Sequence, residues 1–147
     1  AKFTVDSLSP LNTEHNFTFN YPQEYPMIEG DRKLLRQVIE NLLINAIKYS
    51  PEGGEINSRI ELNQKDRILN FSISDYGIGM TEEEHGKIFE RFYRAKNTET
   101  ENIAGLGLGL TICKDVVEAL NGNISCISNF GEGSTFTISF AYEDQLS

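Results

Sequence analysis

Cross-links, chelating clusters and anchors are all scarce in this sequence. Its 147 residues hold two cysteines, Cys113 and Cys126, thirteen positions apart in apolar stretches, with no Cys-x-x-Cys and no histidines at ligand spacing. A disulfide scaffold and a cysteine zinc site are thereby excluded, and a reducing compartment fits. No stretch reaches the roughly 18 apolar residues of a membrane span, and the first residues lack the charged-then-apolar shape of a secretory signal. A soluble, cytoplasmic chain with no direct membrane contact is expected. Positive charge is also in short supply: 13 Lys and Arg stand against 22 Asp and Glu, a net charge of −9. That balance excludes nucleic acid or an anionic membrane as the main partner. The chain opens on strand-like Ala1-Lys2-Phe3-Thr4-Val5 rather than on an initiator Met, so a segment of a longer protein is expected.

What is present suffices for one core. Apolar residues make up 39% and aromatics 10%, too much for a disordered acidic tail and enough for a single domain over residues 1–147. Alternation predicts a strand over 17–21, closed by Pro22 and Pro26. Asp31 then offers an N-cap, and Leu34, Leu35, Val38, Ile39, Leu42, Leu43, Ala46 and Ile47 recur at helical spacing until Ser50-Pro51 and Gly53-Gly54 end the run. Alternation over 55–62 and 67–75, across a polar break, predicts an antiparallel hairpin. Thr81 and Glu84 read as a capping box for a short helix towards Phe89 and Phe92. Residues 95–104 read as a loop, and 108–120 as a helix stopped at Asn121-Gly122. Strands over 123–128 and 134–142, joined through Gly131 and Gly133, complete the series. The order β, α, ββ, α, loop, α, ββ lacks the βαβ alternation of a doubly wound parallel sheet. It predicts a two-layer α/β sandwich, a mixed and mostly antiparallel sheet covered on one face by about three helices.

Three places could carry chemistry. At 100° per residue, Asn41, Asn45 and Lys48 of the long helix fall within an arc of roughly 60° beside its apolar sector. They read either as a solvated polar stripe or as a magnesium–phosphate site, an amide oxygen suiting a hard divalent cation and a lysine suiting phosphate. Asp75-Tyr76-Gly77-Ile78-Gly79 follows a strand directly. It is either a turn opened by Asp or an acceptor for a purine's exocyclic amine, with glycines letting the backbone approach a flat ring. Gly105-Leu106-Gly107-Leu108-Gly109-Leu110 opens the late helix. It is either a flexible entry or an anion site built from helix N–H groups. No Gly-Lys-Ser/Thr follows it and the third glycine of a dinucleotide fingerprint is missing, so a P-loop and a Rossmann motif are excluded.

Taken together and in this order, the three pieces resemble the catalytic ATP-binding domain of sensor histidine kinases, in the superfamily shared with gyrase, the Hsp90 chaperones and MutL. Glu40 to Pro51 is similar to that family's N box, Asp75 to Gly79 to its first glycine box, and Phe89-Glu90-Arg91-Phe92-Tyr93-Arg94 to its F box. Gly105 to Leu110 is similar to the second glycine box, and Gly131 to Phe136 to the closing segment. The fold implied is the Bergerat-type ATP-binding sandwich.

The resemblance implies ATP and Mg²⁺ as cofactors. Asn45 would hold the metal, Asn41 and Lys48 would lie near the phosphates, and Tyr49 would flank the base or ribose. Asp75 would bind the adenine amine, Gly77, Gly79 and Met80 would line the base pocket, and Thr135 would support Asp75 through water. Residues 93–109 would form a lid, with Tyr93, Arg94 and Lys96 near the nucleotide and Gly105, Gly107, Leu108, Gly109 and Leu110 facing phosphate. Glu40, Asn41, Lys48 and Arg91 make up the implied catalytic set. Asn41 stands where the hydrolase branches carry their water-activating glutamate, and an amide is no base at neutral pH. Glu40 is turned about 100° away, free only to assist an incoming acceptor. A kinase is therefore implied over a hydrolase or a degenerate signalling module. His15 and His85 lack the phosphoacceptor motif and read as surface residues. The implied partners are a dimerisation and phosphoacceptor-histidine domain of the same protein and a response regulator receiver domain, with a monomeric isolated domain, a homodimeric parent, and a membrane anchor only in the parent. Leu106, where the family often has Ser or Thr, and the ending Phe140-Ala141-Tyr142 depart from the pattern.

Overall fold

Residues 14–24, 26, 28, 30–90 and 109–143 are described by the computed structural model. The strand-like opening at Ala1 to Val5 lies outside them. Among the described residues five strands form one sheet: β1 (His15–Asn20), β2 (Gly54–Asn63), β3 (Ile68–Asp75), β4 (Asn123–Asn129) and β5 (Gly133–Ala141). Their spatial order is β1-β2-β3-β5-β4. Only β1 and β2 run parallel, and every other pairing is antiparallel. Three helices are seen among the described residues: α1 (Arg32–Lys48), α2 (Glu82–His85) and α3 (Gly109–Ala119). The fold is the expected α/β sandwich.

Period-2 alternation decides which face meets the helices. Leu69, Phe71, Ile73 and Asp75 of β3 and Ser134, Phe136, Ile138 and Phe140 of β5 all point inward and are buried. The residues between them form a polar outer face, where Ser72 pairs with Thr137 at 3.0 Å and Ser74 with Thr135 at 2.8 Å. Val38, Leu42 and Leu43 of α1 and Cys113 and Val117 of α3 complete the core against the inner face. The Asp31 carboxylate caps α1, accepting from Lys33 N–H at 2.8 Å and Leu34 N–H at 3.2 Å.

α2 is shorter than expected, ending at His85 before the chain turns towards Phe89. Its Thr81 cap is present, with the hydroxyl accepting from Glu84 N–H at 3.2 Å. Gly86 follows within the first turn, and its poor helix propensity favours the stop. Phe92 lies outside the described residues.

Candidate functional site

Asp75 is the last residue of β3, and its inward parity puts a carboxylate at the open end of the core. It is 4% exposed. Gly77 N–H donates to it at 3.0 Å, and the Ser134 backbone N–H donates as well. Burial outweighs both donors and pushes its pKa up from 3.8 to about 6. At neutral pH it is therefore a desolvated, acceptor-only group with lone pairs to spare.

The loop after Asp75 is held by backbone on every side. The Tyr49 carbonyl at the end of α1 accepts Ile78 N–H at 2.9 Å, and the Ile78 carbonyl accepts Gly131 N–H at 2.6 Å. A Cβ on Gly77 would collide with the Tyr49 carbonyl, and one on Gly79 with the Asn129 carbonyl. Gly79 also has φ +69°, and Gly133, whose Cβ would strike the Asp75 carbonyl, has φ +104°. These glycines let three backbone segments touch, a different reason from the approach of a flat ring suggested by the sequence. Met80 N–H ends the loop by donating to the Ser128 hydroxyl at 2.8 Å.

Because Tyr49 links α1 to this loop, the polar edge of α1 comes to the same end of the molecule as Asp75. Asn41, Asn45 and Tyr49 are half-buried there, and Lys48 is exposed. The Asn41 side chain hydrogen-bonds Cys113 of α3, while burial pushes that thiol up to about 11. Glu40 is engaged elsewhere, its carboxylate 3.2 Å from Arg36 Nε on a largely exposed stretch of α1. Amide oxygens beside an ammonium suit a hard cation whose remaining ligands are phosphate and water. Among the described residues no cluster of three His, Cys, Asp or Glu is placed to hold a metal.

One assignment needs correction. Thr135 cannot support Asp75, because its hydroxyl lies on the outer face with Ser74. The residue directly opposite Asp75 in the ladder is Ser134, which is buried and whose hydroxyl lies 2.8 Å from Ser128. Inward parity with Phe136, Ile138 and Phe140 was the available signal. Ser128 itself was not anticipated.

The histidines also have partners. His15 is half-buried with Nε2 2.8 Å from the Ser50 carbonyl, and His85 places Nε2 2.5 Å from the Cys126 carbonyl. Of the F box, Phe89 packs edge-on against Phe136 with centroids 6.5 Å apart. Its carbonyl accepts from the Thr111 hydroxyl at 3.0 Å. Gly109 begins α3 with nothing among the described residues within 4 Å of where a Cβ would sit, and the Leu110 side chain packs against the core. Arg91, Tyr93, Arg94, Lys96, Gly105, Gly107 and Leu108 lie outside the described residues, as do most of the expected lid and the departure at Leu106.

Comparison with known proteins fits this geometry. Residues 30–144 match the family model described as histidine kinase-, DNA gyrase B- and HSP90-like ATPase. The chain is 36% identical over 142 residues to the sensor histidine kinase WalK of Bacillus subtilis, covering 96% of this chain and 23% of that protein. It is 43% identical over 118 residues to the sensor histidine kinase AruS of Pseudomonas aeruginosa, covering 78% of this chain and 12% of that protein. The chain thus spans about a quarter or less of these relatives. Among solved structures, the nucleotide-free catalytic domain of the histidine kinase ThkA superposes with a TM-score of 0.79 at 26% identity, covering 96% of this chain and 89% of that one. A mycobacterial sensor histidine kinase, MprB, superposes with a TM-score of 0.82 at 24% identity, covering 98% and 93%, a likeness of fold.

Proposed function

The chain belongs to the histidine kinase-, DNA gyrase B- and HSP90-like ATPase family, and its relatives there are sensor histidine kinases; from that premise we propose that it binds Mg-ATP and presents the γ-phosphoryl group to a histidine on a separate helical domain. The observation that carries this reading is the buried, acceptor-only Asp75 carboxylate, joined through the Tyr49–Ile78 backbone bond to the helix bearing Asn41, Asn45 and Lys48. One end of a nucleotide would be read by acceptors, the other held by amides and a cation.

In this reading Asp75 accepts from the adenine amine, and Met80 and the packed glycine loop wall the base. Asn45 would hold Mg²⁺, Lys48 would add a point charge near the phosphates, and the Asn41 amide, held against α3 by Cys113, would orient the phosphate chain. Bound Mg²⁺ would neutralise charge as the phosphoryl group leaves. The protein's share is positioning, since phosphoryl transfer asks little covalent chemistry of it. Asn41 in place of a carboxylate leaves no general base beside the phosphates on α1, which supports transfer over hydrolysis. The acceptor histidine belongs to another domain of the parent, because His15 and His85 are tied to Ser50 and Cys126. From that histidine the phosphoryl group passes to an aspartate of a response regulator. Such chemistry places the domain on the cytoplasmic side, and no helix among the described residues is long and apolar enough to cross a membrane.

Calorimetric titration of Mg-ATP and Mg-GTP into this chain and its Asp75→Asn variant tests the reading, with ADP release followed in the same samples. Binding selective for ATP, weakened about 10- to 100-fold in the variant for the loss of a buried acceptor, and without turnover, is expected. No binding by folded protein overturns the nucleotide site. Steady turnover moves the assignment to a hydrolase.

A further inference from the structure

Ser128, on the inner face of edge strand β4, is the meeting point of three segments. Its Oγ lies 2.8 Å from Met80 N, 3.0 Å from the Gly133 carbonyl and 2.8 Å from Ser134 Oγ. A serine hydroxyl has one proton and two lone pairs, and a carbonyl cannot donate. All three contacts are hydrogen bonds in one arrangement only. Ser128 gives its proton to Gly133 and accepts from Met80 N–H and from the Ser134 hydroxyl.

The proton of Ser134 is therefore committed to Ser128. Ser134 stands directly opposite Asp75 with its side chain on the same face, and such cross-strand neighbours have Cβ atoms about 5 Å apart. With its proton spoken for, the Ser134 oxygen has only lone pairs left for the pocket. The wall there is acceptor beside acceptor.

We propose that Ser128 is a positioning residue that sets the hydrogen-bond polarity of the base pocket, aligning Ser134 and Asp75 to read a purine by its exocyclic amine. The proposal rests on the ATP reading above. Without the Ser128 hydroxyl, the Ser134 proton loses its acceptor and becomes available to the Asp75 carboxylate across the ladder. That bond occupies a lone pair the amine needs and puts a donor into a wall of acceptors. The Met80 N–H loses its partner at the same time, freeing the end of the glycine loop.

The test compares Mg-ATP with the Mg-triphosphate of purine riboside, which carries hydrogen in place of the amine, by calorimetry on this chain. Wild type should prefer ATP by tenfold or more. Ser128→Ala should bring that preference to within about threefold by weakening ATP more than the analogue, and Ser128→Thr, which keeps the hydroxyl, should retain it. In the Ser128→Ala, Ser134→Ala double variant no competing proton remains, and the preference should return in part. Equal weakening of both nucleotides in Ser128→Ala means a merely structural hydroxyl and overturns the proposal, as does a double variant no more selective than the single one. Wild type that binds both nucleotides without preference also overturns it while leaving nucleotide binding intact. Wild type that binds neither overturns the ATP reading itself, and this proposal with it.

Discussion

Glycine meets different surroundings around Asp75 and at Gly109, the described end of the second glycine-rich segment. Around Asp75, Gly77, Gly79 and Gly133 each sit where a Cβ would overlap another segment's backbone, and two of them hold a positive φ. At the start of α3, Gly109 has ordinary backbone geometry and, among the described residues, nothing within 4 Å of a would-be Cβ. The first set is required by the protein's own packing. Nothing among the described residues requires the second. Identical residues, equally conspicuous in the sequence, thus mark a welded junction in one place and, at Gly109, a position that no packing among the described residues requires.

The contrast is broken most severely at the weld. Gly77→Ala and Gly79→Ala should each destabilise the fold by about 3 kcal/mol or more, since the overlapping atoms are carbonyls that cannot swing aside. Urea denaturation reads this directly, and a loss under 1 kcal/mol would show the junction to be slack.

The burial that the weld creates at Asp75 has its own signature. A carboxyl whose pKa is raised from 3.8 to about 6 keeps its proton in the native state over a range where the unfolded chain has lost it. The native state binds more protons there, so stability falls as pH rises through that window, by on the order of 3 kcal/mol. Below about pH 4 both states are protonated and the penalty vanishes. Wild type measured against Asp75→Asn from pH 4 to pH 7 should lose ground over this interval, and parallel curves would mean an unperturbed carboxyl. Nucleotide preference should fall on acidification below about pH 6, as the acceptor is protonated.

Parity on β5 sharpens the comparison at smaller scale. Ser134→Ala should cost about 1 kcal/mol of stability through the lost bond to Ser128 and disturb the choice between ATP and its amine-free analogue. Thr135→Val, one residue on but on the outer face with Ser74, should leave that choice unchanged. A shift in selectivity from Thr135→Val would restore the role first expected of it.

The smallest effect belongs to the start of α3. Gly109→Ala should leave stability unchanged or raise it by about 0.5 kcal/mol, because alanine is the better helix former. Its affinity for Mg-ATP should fall if the bare backbone serves phosphate. A destabilised variant would mean that Gly109, too, is held by packing.

Much of the fold was legible before any coordinates. The apolar spacing over Leu34 to Ile47 and the Asp31 cap delimit α1 nearly to the residue, because helical period and capping are local properties. Alternation found all five described strands for the same reason. Asp75, Asn41, Asn45 and Lys48 stood out as polar groups beside apolar runs. The short α2 was overextended because Phe89 and Phe92 continue the apolar spacing past Gly86. Ser128 gave no signal, since a serine on an edge strand looks like any other until its three partners, drawn from Met80, Gly133 and Ser134, are brought within 3.0 Å.

By itself the sequence determined the periods, the caps, the chemical types at the site and, through its ordered motifs, the family. These depend on neighbours within a few positions along the chain or on the motif itself. Tertiary structure decided the rest. It placed β5 between β3 and β4, so that Ser134 and not Thr135 faces Asp75. It surrounded Asp75 with enough protein to lift its pKa, and it gave Gly77 and Gly79 the carbonyls that forbid a side chain. Desolvation, steric exclusion and hydroxyl orientation are properties of atoms that meet across dozens of residues, and only the assembled sheet brings those atoms together.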